Sequence, residues 1–310
     1  MELRKGKQVR PQKILLYGVE GIGKSYFASQ FPSPLFIDTE DRLSHLDVNS
    51  YLVKTVDDIY SVLQSLKKPD HGYKTLVLDT VDWTEKLITK AVIARGLGEK
   101  IITSIEDFGY GKGYKFVAEE FQNLLVAIEK TIQEQGMHIV LIAHSKIKPF
   151  NDPINATTYD RYNVDCMDAI SASIRAWCDH VLFANFDTIA VVDPKTKKTQ
   201  GKGGHLRTLF TTHTAAYDAK NSWDGIPDQI DMDYAMIAKY IGDTTHTKKE
   251  EVIDPKIALR DKAKLLAKPL GGNDHIKSLL AGRKFLDLSL EEMEQIITRI
   301  EDDLVLMENK

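Results

Sequence analysis

The apolar positions of this chain fall into short runs separated by longer mixed stretches. Lys13-Ile14-Leu15-Leu16-Tyr17 comes first; Leu35-Phe36-Ile37-Asp38, Thr75-Leu76-Val77-Leu78-Asp79 and His138-Ile139-Val140-Leu141-Ile142-Ala143 follow. Each is short and apolar without alternation, the pattern of a strand buried on both faces. Trp177 to Phe186 is a fifth run of mixed pattern. Ile189–Asp193 and His205–Thr212 flank the Gly- and Lys-rich turn Lys195–Gly204 and predict an antiparallel hairpin. Helices are expected at Ser25–Phe31, stopped by Pro32, and at Val56–Lys67, Val81–Arg95 and Gly113–Glu134. Strands alternating with helices predict a parallel sheet covered on both faces. Ligands then bind beyond the C-terminal ends of the strands.

Two stretches read as functional loops. Ile105–Lys115 is Gly-rich. Lys146–Asp168 is long and polar and carries Pro149, Pro153, Tyr159, Arg161 and Tyr162. A break in composition at Gly242–Pro255 reads as a linker, dividing the chain into a core over 1–242, a linker over 243–255 and a small helical appendage over 256–310. In the appendage Lys256–Lys268, His275–Gly282 and Ser289–Met307 look helical. Ser289 followed by Glu292 makes a capping box. The appendage is basic from Lys256 to Lys284 and acidic from Glu291 to Asp303. Solvated helix faces explain that gradient; a docking surface for a partner or nucleic acid is the alternative.

Composition narrows the classes. The chain has 310 residues and a net charge of −4, so it carries no global basic footprint. Cys166 and Cys178 give neither a disulfide framework nor metal-ligand spacing, and fit buried or idle thiols in a reducing cytoplasm. Met1–Lys13 lacks the apolar stretch of a signal peptide. No apolar run approaches the roughly 20 residues needed to span a bilayer, so no membrane role is expected.

The strongest motif follows the first run. Gly18-Val19-Glu20-Gly21-Ile22-Gly23-Lys24-Ser25 fits the phosphate-binding pattern G-x-x-x-x-G-K-[ST]. Gly18 and Gly23 let the backbone turn and present N–H groups to phosphate. Lys24 offers a charge to the β and γ phosphates, Ser25 a hydroxyl to Mg²⁺, and the helix over Ser25–Phe31, with Tyr26 in its first turn, its positive end. The bound cofactors expected are therefore ATP and Mg²⁺. Asp79, ending the third run, is placed to order the Mg²⁺ shell opposite Ser25. Asp38, Glu40 and Asp41 crowd the end of the second run, near the expected γ-phosphate. Hydrolysis needs a group to orient or deprotonate water; Glu40 is preferred, with Asp38 and Asp41 as alternatives and an ordinary acidic turn as the plain one. His144 ends the fourth run. It reads as a catalytic-site residue that senses the γ-phosphate, with a structural hydrogen-bonder as the plain alternative and a general base as a third, for which the carboxylates are better placed.

Together these segments resemble a RecA-core ATPase, most closely the phage-encoded RecA-like annealing ATPases of the single-strand-annealing group. The resemblance rests on Gly18–Ser25, Phe36-Ile37-Asp38-Thr39-Glu40, Leu76-Val77-Leu78-Asp79-Thr80-Val81 and Val140-Leu141-Ile142-Ala143-His144, and covers roughly residues 10 to 240. It implies an α/β fold, a RecA-like P-loop NTPase core whose central, mostly parallel sheet is flanked by helices, with a small C-terminal helical region added. It implies that Glu40 activates the water. It puts His144 at the polar position commonly held by Gln in RecA. Ala219-Lys220-Asn221 is similar to a segment near the end of the phage core. Arg207 and Lys220 match, by position only, basic residues that reach a neighbouring subunit's γ-phosphate. Self-association as a ring or filament is implied, and a bacterial host's cytoplasm if the chain is phage-encoded.

The Ile105–Lys115 loop bears on DNA. Phe108, Tyr110 and Tyr114 alternate with Lys112 and Lys115 on flexible glycines, suited to stacking bases and neutralising phosphates. A lid or subunit contact is the alternative. The Lys146–Asp168 loop occupies the place of the second DNA-binding loop of RecA, though Asp152, Asp160 and Asp165 oppose that use. The reading is an Mg²⁺-dependent ATPase, DNA-stimulated, acting on single-stranded DNA in phage recombination by annealing or strand pairing, with a single-strand-binding protein as a further partner. The rivals are a motor or loader acting on a partner protein in phage replication or packaging, and a nucleotide switch without significant turnover.

Overall fold

A computed structural model describes residues 10–68, 70–98, 100–192, 199–242, 255–270, 273–280 and 282–308. The chain divides into two compact units, Met1–Thr244 and Thr245–Lys310. Residues 243–254 of the expected linker and 1–9 of the N-terminus lie outside the described residues.

The buried runs become strands β1 (Lys13–Gly18), β2 (Pro34–Asp38), β4 (Thr75–Asp79) and β5 (His138–Asp152), with β3 (Asn49–Leu52) added at one edge. With β7 (His180–Val192) they form a parallel array in the order β3-β2-β4-β5-β1-β7. β8 (Thr199–Phe210) and β9 (Gln229–Asp231) extend it antiparallel. Alternate residues of each run face opposite layers. Leu15, Tyr17, Leu76, Leu78, Ile139 and Leu141 pack in one core with α2 (Val56–Ser65), α3 (Val81–Arg95), α4 (Lys112–Gln135) and α5 (Asp168–Trp177). Ile14, Leu16, Val77, Val140 and Ile142 pack on the other side with α1 (Lys24–Ser29) and α6 (Ala235–Ile241). Both faces are covered, which is why these strands read as continuous apolar runs.

Several expectations are corrected. Lys146–Asp168 is not a loop: β5 continues to Asp152, turns, and returns as β6 (Thr157–Val164), an antiparallel ribbon beyond the sheet. Its strands are partly wet on both faces, so no apolar run marks them. The mixed run Trp177–Phe186 and the run from Ile189 are one long strand, β7, and Trp177 ends α5 instead. Of the turn expected at Lys195–Gly204, residues 199–204 belong to β8 and 193–198 lie outside the described residues. Helix α1 ends at Ser29 rather than Phe31. β3 is exposed at all its residues, and so left no hydrophobic signal.

The second unit has its own core, in which Ala263, Ile276, Leu288, Met293 and Ile300 are buried. It contains α7 (Pro255–Ala267), α8 (Asn273–Leu279) and α9 (Leu290–Glu308). The capping box forms: Glu292 N donates to Ser289 Oγ and Ser289 N to a Glu292 carboxylate oxygen (3.2 and 2.8 Å). Among the described residues no helix is long and apolar enough to cross a membrane.

Candidate active site

The parallel register brings the C-terminal ends of β1, β2, β4 and β5 together. Gly18 pairs with His144, and Asp38 with Asp79. Strand β5, carrying His144, lies between the strand of the phosphate loop and that of Asp79. A cavity of about 510 Å³ opens there, lined by Gly23, Lys24, Ser25, Asp79, Glu40 and His144 among others.

The loop glycines serve different ends. A Cβ on Gly18 would stand 2.1 Å from the Ala184 carbonyl oxygen, so Gly18 is required by the close approach of β7. Gly23 has φ 99° and caps α1 in a left-handed conformation. Ile22 is wholly buried in the core and anchors the loop from beneath, while Tyr26 is exposed at the rim. Val19 ties the loop to β7 by donating its N–H to Ala184 O (3.3 Å), and Glu20 and Gly21 line the cavity.

Lys24 is buried, its Nζ donating to the carbonyls of Gly18 and Val19 (3.1 and 2.9 Å). Burial lowers its pKa, against the pull of Asp79, Asp82, Glu40 and Glu20. Ser25 Oγ donates to Asp79 Oδ2 at 2.6 Å. Burial pushes the Asp79 carboxyl up to about 6; the Ser25 bond and Lys24 oppose this, and Glu40 and Asp38 reinforce it.

The three acids after β2 separate by role. Asp38 Oδ1 accepts from the backbone N–H of Glu40 and Asp41 (both 2.9 Å), and so shapes the turn. Asp41 is exposed, at φ 60°. The Glu40 carboxylate points inward: Thr80 Oγ1 donates to Oε1 at 2.7 Å, and His144 Nδ1 lies 3.8 Å away. Thr39 Oγ1 donates to Asp79 O and accepts from Thr80 N (3.0 and 2.8 Å), locking the ends of β2 and β4 together.

Asp82, in the first turn of α3, was not anticipated. It is buried, and accepts from the backbone N–H of His144 and meets its ring Nδ1, each at 3.0 Å. Burial pushes the Asp82 carboxyl up, but the bonds from His144 outweigh it and the net shift is downward. His144 is raised, chiefly by the same bond. Donor atoms of Glu40, Asp82 and His144 all lie within 4.8 Å of one another. An acid three residues beyond Asp79, in a helix's first turn, was the available signal.

Other expected site residues scatter. Arg207, matched to a group reaching across a subunit interface, lies over its own chain's phosphate loop: its Nη1 stands 2.8 Å from where a Gly23 Cβ would be. Among the described residues no carboxylate pairs with it. Lys220 is not in the cavity; its backbone pairs with Val181, which sits at the level of Leu15 near the start of β1. Phe108 is in the core, edge-on to Phe116 at 5.6 Å, and is corrected as a base-stacking residue. Tyr110 is fully exposed, and Lys112, Tyr114 and Lys115 are exposed on the first turn of α4. The Tyr114 hydroxyl donates to Glu106 at 2.6 Å. Cys166 and Cys178 are free and buried.

A family described as an AAA domain matches residues 10–223, which hold the cavity residues. The SPbeta prophage-derived uncharacterized protein YorG of Bacillus subtilis (strain 168) is 25% identical over 146 residues, 45% of this chain and 42% of that protein. The aligned part thus spans less than half of that relative's length. The crystal structure of the RadB recombinase is similar with a TM-score of 0.36 and 14% identity, over 65% of this chain and 80% of that one.

Proposed function

Because the chain belongs to the AAA-domain family of P-loop ATPases, we propose that it hydrolyses ATP with Mg²⁺ and couples this to single-stranded DNA in phage recombination. The observation that carries the ATPase reading is the convergence of Lys24, the Ser25–Asp79 pair and the buried Glu40 carboxylate on one cavity. Ser25 and Asp79 are oxygen donors 2.6 Å apart, a pair fit for a hard cation. They would hold Mg²⁺, which neutralises phosphate charge when bound. Lys24 binds the phosphates, and Glu40 orients and deprotonates the attacking water.

The Tyr110 loop supports the DNA part. It presents an exposed ring beside Lys112 and Lys115. Changing these three to alanine is expected to weaken single-strand binding while ATP affinity stays near normal. The stack contributes about 1–3 kcal/mol. Losing two lysines should flatten the salt slope by about 1.4 units. Gel-shifts across salt measure both; an unchanged series would remove this loop from the DNA site. The prophage origin of YorG supports the phage setting. ATP hydrolysis with and without single-stranded DNA tests the whole proposal, and lack of stimulation favours the second reading.

That second reading, an ATPase acting on a partner protein, has the ribbon in its favour. Lys146 and Lys148 are paired with Asp165 and Asp168, and Arg161 with Asp218. The exposed groups include Ile147 and, at the tip, Ile154. Such a surface suits protein better than phosphate.

Arg207 acts in cis in this proposal, on phosphates held by its own loop. Arg207→Ala should weaken ATP binding roughly tenfold or more, the scale of a lost charged hydrogen bond. Mixing Arg207→Ala with Lys24→Ala subunits should then restore no hydrolysis. Recovery on mixing would place Arg207 at an interface instead.

A further inference from the structure

The buried carboxylate of Asp82 has no part in the phosphate loop or in the pair that would hold Mg²⁺. Both of its oxygens are spent on one residue: Oδ1 takes the backbone N–H of His144 and Oδ2 meets its ring Nδ1. The first bond fixes where the end of the apolar stretch of β5 sits against α3. The second fixes the ring about its χ angles. An ionised carboxylate can only accept, so Nδ1 must carry a proton. Nε2, on the far side of the ring, makes no hydrogen bond among the described residues, and His144 lines the cavity that holds Lys24, Asp79 and Glu40.

We propose that Asp82 is a positioning residue for ATP hydrolysis, holding His144 protonated at Nδ1 with Nε2 presented to the phosphate end of the cavity. This rests on the ATPase reading above. With both nitrogens protonated, Nε2–H donates to a phosphoryl oxygen and places positive charge where negative charge grows in the transition state. With Nδ1 alone protonated, Nε2 has no hydrogen to give and the contact is lost. Asp82 favours the doubly protonated form by its hydrogen bond and its charge, and Glu40 adds to this; burial and Lys24 act against it. Glu20, Arg42, Lys86 and Asp165 line the adjoining 270 Å³ cavity beside the ring. The raised His144 pKa therefore puts the fall in rate on the alkaline side, above the ordinary imidazole range.

The decisive substitution is Asp82→Asn. Its amide oxygen can still take the His144 backbone N–H, but its NH₂ then faces Nδ1 and demands an acceptor there. The neutral ring is driven to the Nε2–H tautomer, which can still donate to a phosphoryl oxygen but brings no positive charge, and the charged ring loses its counter-charge. Steady-state hydrolysis by the full chain, followed against pH, should show kcat reduced at least tenfold with KM for ATP within about threefold. The alkaline limb should move to lower pH. His144→Gln should remove the limb, and the double variant should be no slower than His144→Gln alone, because Asp82 acts through His144. A wild-type limb in Asp82→Asn, or losses that multiply in the double variant, would overturn the proposal. A second measurement does not depend on turnover or on the folding of Asp82→Asn. NMR titration of the wild-type histidine rings, with His144 assigned by its absence in His144→Gln, should find it titrating above the ordinary imidazole value and neutral as the Nδ1–H tautomer. An Nε2–H tautomer overturns the proposal even if hydrolysis is found. An Nδ1–H tautomer in a protein without hydrolysis leaves the Asp82–His144 geometry standing and removes the ATPase reading instead.

Discussion

Lys24→Ala is expected to bring ATP hydrolysis to background. The ammonium is buried beneath the loop and bonded only to two of its carbonyls among the described residues, so it is held ready without being neutralised by a bonded carboxylate. Phosphate oxygens entering the loop meet that charge in a partly desolvated site, where it counts for more than in water. Losing one positioned donor of this kind costs about 10²–10³-fold in kcat, and ATP binding weakens as well. Stability should change little. The carbonyls lose a partner, which costs about 1–3 kcal/mol, but a buried cation whose pKa burial already lowers is removed at the same time. Radiometric hydrolysis on a variant with wild-type circular dichroism checks this. Retained turnover would take the loop out of the chemistry.

Glu40→Gln should separate binding from hydrolysis. Glutamine keeps an oxygen for the Thr80 hydroxyl, so the end of β2 stays in place. It cannot accept a proton. Turnover should fall by about 10²–10⁴-fold, the usual contribution of a positioned base, while the affinity for ATP·Mg²⁺ measured by fluorescent-nucleotide displacement stays close to wild type. Asp38→Asn is the matched control. Its side-chain oxygen can still receive the two backbone N–H groups that shape the turn, so most of the rate should survive. A crippled Asp38→Asn beside an active Glu40→Gln would assign the base to Asp38.

The phosphate loop was legible in the sequence because all its requirements are local: one strand, one turn and one helix start within a dozen residues. The buried strands were legible because coverage on both faces removes the polar alternation. The choice among Asp38, Glu40 and Asp41 was not, since the sequence shows three similar acids and only the backbone reveals that one of them closes the turn. The Asp82–His144 pair joins α3 to β5, and nothing local links the two positions. Phe108 shows the converse difficulty. An aromatic among glycines looks the same whether it faces solvent or fills the core, and here it packs against Phe116. The β5–β6 ribbon reads as a loop in the sequence because strands wet on both sides carry no hydrophobic rhythm.

The unbroken course of β5 has a mechanical consequence. One strand runs from the middle of the sheet, past His144, to Asp152 at the ribbon's far end. Its pairing with β6 holds continuous register from Ser145↔Val164 to Asp152↔Thr157, and Asp165 N clamps the base by donating to His144 O at 2.8 Å. His144 thus sits at the fulcrum of a lever. The eight-residue arm beyond it is about 26 Å long at about 3.3 Å per residue. A tilt of about 5° at the fulcrum would move the tip by about 2 Å. A displacement too small to alter the contacts of His144 would there be large at the exposed Ile154.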